Sequence, residues 1–133
     1  MTEAILDIRD LRIALPKGSD RPYALDGLNL NVASGEIVCL VGESGSGKSL
    51  TAGAVMRLLP EPSVRVAGGS IQFEGDDLLS FSETAMRDIR GNRISMIFQE
   101  PMTALNPQKT VGWQIDEVLR LHMKASRAER RAH

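Results

Sequence analysis

The chain has 133 residues, of which 42% are hydrophobic and 25% are charged, a composition that is typical of one globular domain and excludes collagen-like and disordered classes. Sixteen basic and seventeen acidic residues leave a formal net charge of −1, so no overall field attracts the chain to nucleic acid or to anionic lipid. No apolar run reaches the ~18 residues of a membrane-spanning helix, and the start MTEAILDIRD carries an acidic residue where a signal peptide needs basic ones. We therefore expect a soluble, cytosolic chain.

Two segments near the N-terminus alternate between apolar and polar residues, which predicts two half-exposed antiparallel strands. They are AILDIRDLRIAL and ALDGLNLNV, and the loop PKGSDRP separates them. The run IVCLV at residues 37–41 follows without alternation, which predicts a central strand buried on both faces. Together with a helix soon after this run, these elements predict an α/β domain with an antiparallel β part near its N-terminus.

The middle of the chain predicts two helices with a strand between them. The first helix ends before Pro60, GGSIQFEG is a short strand, and SETAMRDIRG is a short helix that Gly91 ends. Ser80 and Glu83 stand at the spacing of a capping box.

The last third of the chain predicts a strand, a loop and a helix. RISMIF at residues 93–98 is typical of a second buried strand, and the two prolines of QEPMTALNPQKT exclude regular structure after it. A helix begins at Val111, in which Asp116 and Arg120 are predicted to form an i,i+4 ion pair.

The stretch GESGSGKS matches the pattern G-x-x-x-x-G-K-[ST], directly after a predicted buried strand and directly before a predicted helix. In that context glycines let main-chain amides converge on one anion at a helix N-terminus. The lysine would reach the β- and γ-phosphates of a nucleotide, and the following serine would bind Mg²⁺. The predicted nucleotide-binding residues of this stretch are Gly42, Glu43, Ser44, Gly45, Ser46, Gly47, Lys48, Ser49 and Leu50.

Two other classes of nucleotide-binding protein fit the sequence less well. A dinucleotide fingerprint needs a third glycine at the position where Leu50 stands. A small GTPase would use residues 88–91 as its D-x-x-G motif, at the end of a buried strand. The segment SETAMRDIR has instead a polar, helical pattern, and no N-K-x-D guanine motif is present.

The segment RISMIFQEPMTALNP strongly resembles the Q-loop region of ABC-transporter ATPase subunits. It is most similar to the subgroup that serves dipeptide, oligopeptide, nickel and glutathione importers. ALDGLNLNVASGEIVCLVGESGSGKS, IQFEGDDLL, MRDIRGNRISMIF and TVGWQIDEVLRLH resemble the same subgroup in order and spacing, so the resemblance spans nearly the whole chain. It implies a P-loop NTPase (RecA-like) core in an ATP-binding subunit that energises import of peptides or similar small solutes.

The resemblance also implies cofactors, partners and residue roles. The cofactors would be ATP and Mg²⁺, with Lys48 and Gln99 as catalytic residues and Ser49 and Gln99 as metal-binding residues. The loop Glu100–Pro107 would face the transmembrane permease subunits, and a second ATPase subunit would complete each site. The protein would then be cytoplasmic and peripheral on the inner face of the cell membrane, without membrane insertion and without nucleic acid.

Members of this family also carry an aromatic residue that stacks on adenine just past the first strand. The corresponding place here is nearer to Leu15, and the only aromatic in the region is Tyr23. Tyr23 is therefore the candidate, and the alternative is a loop residue whose ring lies on the core.

Other parts of the family's catalytic machinery have no counterpart in the sequence, which contains no LSGGQ-like signature, no apolar strand ending in Asp-Glu and no switch histidine. We therefore predict a nucleotide-binding core with its antiparallel part at residues 1–110, and at residues 111–133 the beginning of a helical subdomain that stops partway. Such a chain would not hydrolyse ATP alone. Two alternatives remain, a nucleotide-binding fragment without turnover and a soluble ABC-family ATPase that is not tied to transport.

Overall fold

The computed structural model describes residues 4–100, 102 and 104–132. Its internal contacts divide the chain into two compact units, Met1–Met86 and Arg87–His133. The predicted boundary at residue 110 stays a prediction.

The first unit is built on a four-stranded antiparallel sheet. Its strands are β1 Ala4–Ala14, β2 Tyr23–Ala33, β3 Arg65–Phe73 and β4 Asp76–Asp77, in the order β2-β1-β3-β4. Leu6 of β1 pairs with Val32 of β2 on one side and with Phe73 of β3 on the other. The two antiparallel strands predicted from alternation are therefore confirmed. The strand predicted at GGSIQFEG, residues 68–75, begins earlier than expected, at Arg65, and ends earlier, at Phe73.

The core of the first unit contains apolar side chains from the sheet and from the segment that follows it. That segment is a 3-10 turn, Leu78–Ser80, and the first part of the helix α2, Glu83–Ile89; the boundary between the two units falls within this helix, after Met86. The largest fully buried side chains are Ile8, Leu11, Ile13, Ile71, Leu78 and Met86. Burial of a side chain of this size stabilises a fold by about 1.5–3 kcal/mol. The sheet of the first unit is therefore packed on one continuous apolar core.

The start of α2 differs from the prediction by two residues. Ser82 Oγ accepts a hydrogen bond from the Ala85 amide at 3.2 Å, which makes Ser82 the capping residue. Ser80 belongs to the 3-10 turn instead, and its hydroxyl donates to Asp77 O at 2.7 Å. The capping-box prediction was wrong because that turn occupies the residues that the pattern assigned to the cap.

Neither of the two buried strands predicted from apolar runs is present. Residues 37–41 and 93–98 belong to no strand. Ile37, Val41 and Ile97 are 97, 82 and 98% exposed. A strand buried on both faces needs hydrogen-bonded neighbours at its edges and covering layers above and below. The strands in the described residues pair only with one another, so they offer these runs no neighbour.

The second unit contains two further helices, α3 Val111–His122 and α4 Arg127–Ala132. Thr110 Oγ1 accepts from the Trp113 amide at 3.2 Å, so the predicted helix start at Val111 is confirmed by its cap. The predicted ion pair within α3 is wrong, because Asp116 binds Arg130 of α4, with 2.8 Å between Nε and Oδ1. No helix in the described residues is both long and apolar enough to cross a membrane.

Candidate functional site

The glycine-rich stretch forms a compact loop that leads directly into the helix α1, Lys48–Val55. Gly45 and Gly47 adopt left-handed backbone conformations, with φ values of 78° and 97°. The Ser46 amide donates to Glu43 O at 3.2 Å, which closes a turn inside the loop. The glycines thus produce a fixed bend at a helix N-terminus, as the motif predicts.

At two of the glycines an added side chain would press against a neighbouring side chain. A Cβ atom at Gly42 would lie 2.6 Å from Ser46 Oγ, and one at Gly47 would lie 2.5 Å from Leu25 Cδ2. A Cβ at Gly45 would meet no atom within 4 Å, so only the left-handed backbone conformation favours glycine at this position. The loop is therefore packed against Ser46 at its first glycine and against Leu25 of β2 at its last glycine, and we call this arrangement the glycine cradle.

Lys48 points its ammonium group back across the loop. Its Nζ donates to Gly42 O at 2.8 Å, to Glu43 O at 2.7 Å and to Ser46 Oγ at 3.3 Å. These three contacts equal the number of donors on an ammonium group. The positive charge is thus held at the loop without a carboxylate partner among these contacts, which is the arrangement that an incoming anion requires.

The first turn of α1 leaves its amides available. The first intrahelical hydrogen bond runs from the Thr51 amide to Gly47 O at 2.8 Å, and the Thr51 hydroxyl donates to the same oxygen at 2.9 Å. No side chain caps the helix. The amides of Lys48, Ser49 and Leu50 precede that first bond, so they have no intrahelical partners and form the positive end of the helix dipole.

The remaining loop residues lie at the surface. Glu43, Ser44 and Ser49 are exposed, and Leu50 is half-buried in α1. An exposed serine hydroxyl at a helix start fits Mg²⁺, because this ion takes few protein ligands and completes its octahedron with water and phosphate oxygens. The described residues contain no group of three or more His, Cys, Asp or Glu side chains that could hold a metal by itself.

Arg21 is a residue near the site that sequence reasoning missed. It lies in the turn between β1 and β2, and its Nη2 donates to Gly45 O at 2.6 Å. In the sequence the turn is an ordinary polar loop, PKGSDRP, so no local signal connects it to a glycine 24 residues later. Only the folded hairpin brings the two together.

Tyr23, the adenine candidate, is the first residue of β2 and pairs with Ala14. Its side chain is exposed, whereas Leu15 at the other end of the turn is half-buried. Tyr23 stands two residues before Leu25, whose methyl group lies against Gly47 in the loop of residues 42–49, which we call the phosphate loop after its predicted ligand. The stacking role of Tyr23 stays a prediction.

Gln99 is exposed and belongs to the second unit, whereas the phosphate loop belongs to the first. In the loop that follows Gln99, Pro101 and Thr103 lie outside the described residues, and Met102 and Leu105 are exposed. The end of this loop is tied to α3, because Gln114 accepts from the Asn106 amide at 2.8 Å and donates to Asn106 O at 3.1 Å. The metal-binding and catalytic roles of Gln99 stay predictions.

The chain is similar in sequence to several ATP-binding proteins of transporters. A "peptidoglycan transport ATP-binding protein" of Agrobacterium fabrum is 48% identical over 130 residues, which is 98% of this chain and 24% of that protein. A "probable peptide ABC transporter ATP-binding protein" of Sinorhizobium fredii is 49% identical over 96% of this chain and 38% of its own length. A "probable D,D-dipeptide transport ATP-binding protein" of Escherichia coli is 49% identical over 99% of this chain and 40% of its own length.

The chain spans only between about a quarter and two fifths of the length of these three relatives. The sequence profile of the ABC transporter family matches residues 25–133, which include the phosphate loop, Gln99 and both helices of the second unit. On this match and these identities, the chain belongs to the ABC transporter family.

Proposed function

We propose that the chain is the nucleotide-binding part of an ATP-binding subunit that energises import of peptides or similar small solutes. The observation that carries the proposal is the loop of residues 42–49, in which Lys48 spans a glycine cradle at the start of a helix. The family has a P-loop NTPase fold, and the antiparallel sheet and helices described above are consistent with it. We propose the RecA-like core and the division at residue 110 on the resemblance alone.

ATP binding would use the groups that the loop already presents. Amides of the loop and of the first turn of α1 donate to phosphate oxygens, and Lys48 supplies a point charge at the β- and γ-phosphates. To do so, its ammonium group exchanges part of its contacts with Gly42 O, Glu43 O and Ser46 Oγ for phosphate oxygens. Because all of these acceptors lie on the loop, the ammonium group is already held beside the amides that would bind phosphate.

Mg²⁺ would be held by the Ser49 hydroxyl and by Gln99. When bound, the ion neutralises charge on the phosphates. Gln99 would also orient the attacking water, since an amide offers both an acceptor and donors. Tyr23, at the end of the hairpin that contacts the loop, would stack on adenine.

The names of the relatives support the choice of solute and partners. They are called peptidoglycan, peptide and D,D-dipeptide transport proteins, and we extend a peptide-type solute to this chain. We propose that the loop Glu100–Pro107 contacts transmembrane permease subunits, supported by the exposure of Met102 and Leu105. A second ATPase subunit would complete the site, and the protein would lie at the cytoplasmic face of the membrane.

A fluorescent ATP analogue with Mg²⁺ tests the proposal directly. We expect the chain to bind it, and Lys48→Ala to weaken binding about tenfold or more because the loop loses its positive charge. Lys17→Ala is the matched control, since Lys17 is an exposed lysine in the turn between β1 and β2. A folded parent chain that leaves the analogue unbound, or a Lys48→Ala variant that binds as the parent does, would contradict the proposal.

A further inference from the structure

The contact between Arg21 and the phosphate loop acts on one particular peptide group. Arg21 Nη2 donates to Gly45 O at 2.6 Å, and the amide of the same peptide group, that of Ser46, donates to Glu43 O at 3.2 Å. In a trans peptide the C=O and N–H bonds point in opposite directions. The Gly45–Ser46 peptide plane is therefore held from both ends, by a guanidinium on one side and by the loop's own turn on the other.

The two hydrogen bonds matter for this peptide plane because side-chain packing at Gly45 does not restrain it. Gly45 has a left-handed backbone conformation, and a Cβ there would meet no atom within 4 Å. Glycine in an open position retains much of its conformational freedom unless a specific contact removes it. The hydrogen bond from Arg21 supplies that contact, and it is charge-assisted and short.

The same peptide group is linked to Lys48. Glu43 O accepts from the Ser46 amide at 3.2 Å and also from Lys48 Nζ at 2.7 Å. A rotation of the Gly45–Ser46 plane would withdraw the Ser46 amide from Glu43 O and shift one of the acceptors of the ammonium group. The guanidinium of Arg21 is thus connected through one peptide group to the position of the phosphate-binding lysine.

The hairpin that carries Arg21 is itself well placed to hold the loop. Leu15 N donates to Pro22 O at 2.9 Å, which closes the turn beside Arg21. Four residues after Arg21, Leu25 contacts the loop at Gly47. The hairpin therefore contacts the phosphate loop at two points, so Arg21 is presented from an anchored element and not from a free tail.

We propose that Arg21 is a positioning residue for nucleotide binding, which holds the Gly45–Ser46 peptide group so that the loop and Lys48 are ready to receive phosphate. The proposal rests on the proposed function for its effect on affinity. Its structural part, the fixing of the loop, does not depend on nucleotide. The two parts can be measured separately.

The test uses two substitutions of Arg21 and one control in the same turn. Arg21→Met keeps the length of the side chain without its donors, and Arg21→Lys restores a cationic donor to a single carbonyl. Lys17→Met makes the same kind of change at an exposed residue of the same turn. Hydrogen exchange of the Ser46 amide and the Kd for a fluorescent ATP analogue with Mg²⁺ are measured for each, with the melting temperature as a check on global folding.

We expect faster exchange at Ser46 in Arg21→Met, and a Kd raised by about tenfold or more, the range for one lost charge-assisted hydrogen bond. Arg21→Lys should recover most of both effects, whereas Lys17→Met should match the parent. A general loss of stability would instead lower the melting temperature and speed exchange across the whole sheet, and that result would overturn the proposal.

Two outcomes separate this inference from the proposed function. Unchanged exchange and unchanged Kd in Arg21→Met, with binding lost in Lys48→Ala, would overturn the role of Arg21 and leave nucleotide binding intact. A parent chain that binds no nucleotide would overturn the proposed function, while faster exchange at Ser46 in Arg21→Met would still support the fixing of the loop.

Discussion

Gly47 and Leu25 are in such close contact that a Cβ atom on the glycine would lie 2.5 Å from Leu25 Cδ2. Gly47 also has φ 97° and is the N-cap residue directly before α1. The start of β2 therefore closes directly against the last residue of the phosphate loop before Lys48. This contact joins the antiparallel sheet to the candidate site.

We expect Gly47→Ala to destabilise the chain and to abolish nucleotide binding. The left-handed conformation alone costs a residue with a Cβ about 1–2 kcal/mol, and the clash with Leu25 adds to this cost. Thermal unfolding and titration with a fluorescent ATP analogue measure the two effects.

The control for this substitution is Gly18→Ala. Gly18 has φ 93°, and a Cβ there would meet nothing within 4 Å, so it carries the conformational cost without the clash. Equal effects of the two substitutions on stability and binding would show that the contact with Leu25 is unimportant. Partial recovery in the double variant Gly47→Ala, Leu25→Ala would support it.

Thr51→Val is expected to lower the free energy of unfolding by about 1 kcal/mol, the usual contribution of one hydrogen bond. Thr51 is 4% exposed, and its hydroxyl donates to Gly47 O at 2.9 Å. Valine has nearly the same shape, so the substitution removes the bond without opening a cavity. Urea unfolding measures the change.

The matched control is Thr84→Val, an exposed threonine in α2. We expect no loss of stability from it, because no buried contact is removed. A Thr51→Val variant that is as stable as this control would contradict the importance of the hydroxyl for the start of α1.

Asp116→Asn should weaken the attachment of α4 to α3 at neutral pH. The hydrogen bond from Arg130 lowers the pKa of the Asp116 carboxyl from its ordinary value of 3.8. A carboxyl with a lower pKa in the folded state contributes stability above its ordinary pKa and loses it as the pH falls through the folded value. The difference between parent and variant should therefore be present near pH 7 and should shrink as the pH falls below the ordinary value of 3.8.

The measurement is the helical circular dichroism of parent and variant across this pH range. Glu117→Gln is the control, because Glu117 makes only a longer contact of 3.9 Å with Arg120 on the surface of α3. We expect no comparable pH-dependent difference for it. A parent and an Asp116→Asn variant with the same helicity at neutral pH would contradict the role of the pair.

We expect these 133 residues to release no phosphate from Mg-ATP at steady state. The resemblance assigns part of each hydrolytic site to a signature motif of a second subunit, and the sequence contains no such motif. Phosphate release from the purified chain measures this, with Lys48→Ala as the control for contaminating enzymes. Turnover in the parent that disappears in Lys48→Ala would show the expectation to be wrong.

The sequence by itself determined the features that depend on a few neighbouring residues. Alternation of side chains in AILDIRDLRIAL was enough to predict β1, because a strand directs successive residues to opposite faces. The spacing of Gly42, Gly47 and Lys48 was enough to predict a bent loop before a helix, because only glycine adopts the required conformation without strain. The predicted helix start at Val111 likewise agrees with the start of α3.

Only the tertiary structure decided the features that join distant parts of the chain. The partner of Asp116 is Arg130, 14 residues away, and not the helical neighbour Arg120. Arg21 reaches Gly45 across 24 residues, and the apolar Ile37 is exposed although its sequence predicts burial. The local sequence pattern shows which secondary structure a residue prefers. Burial and pairing depend on which other segments fold against the residue, because the free energy of packing comes from contacts between residues far apart in the sequence.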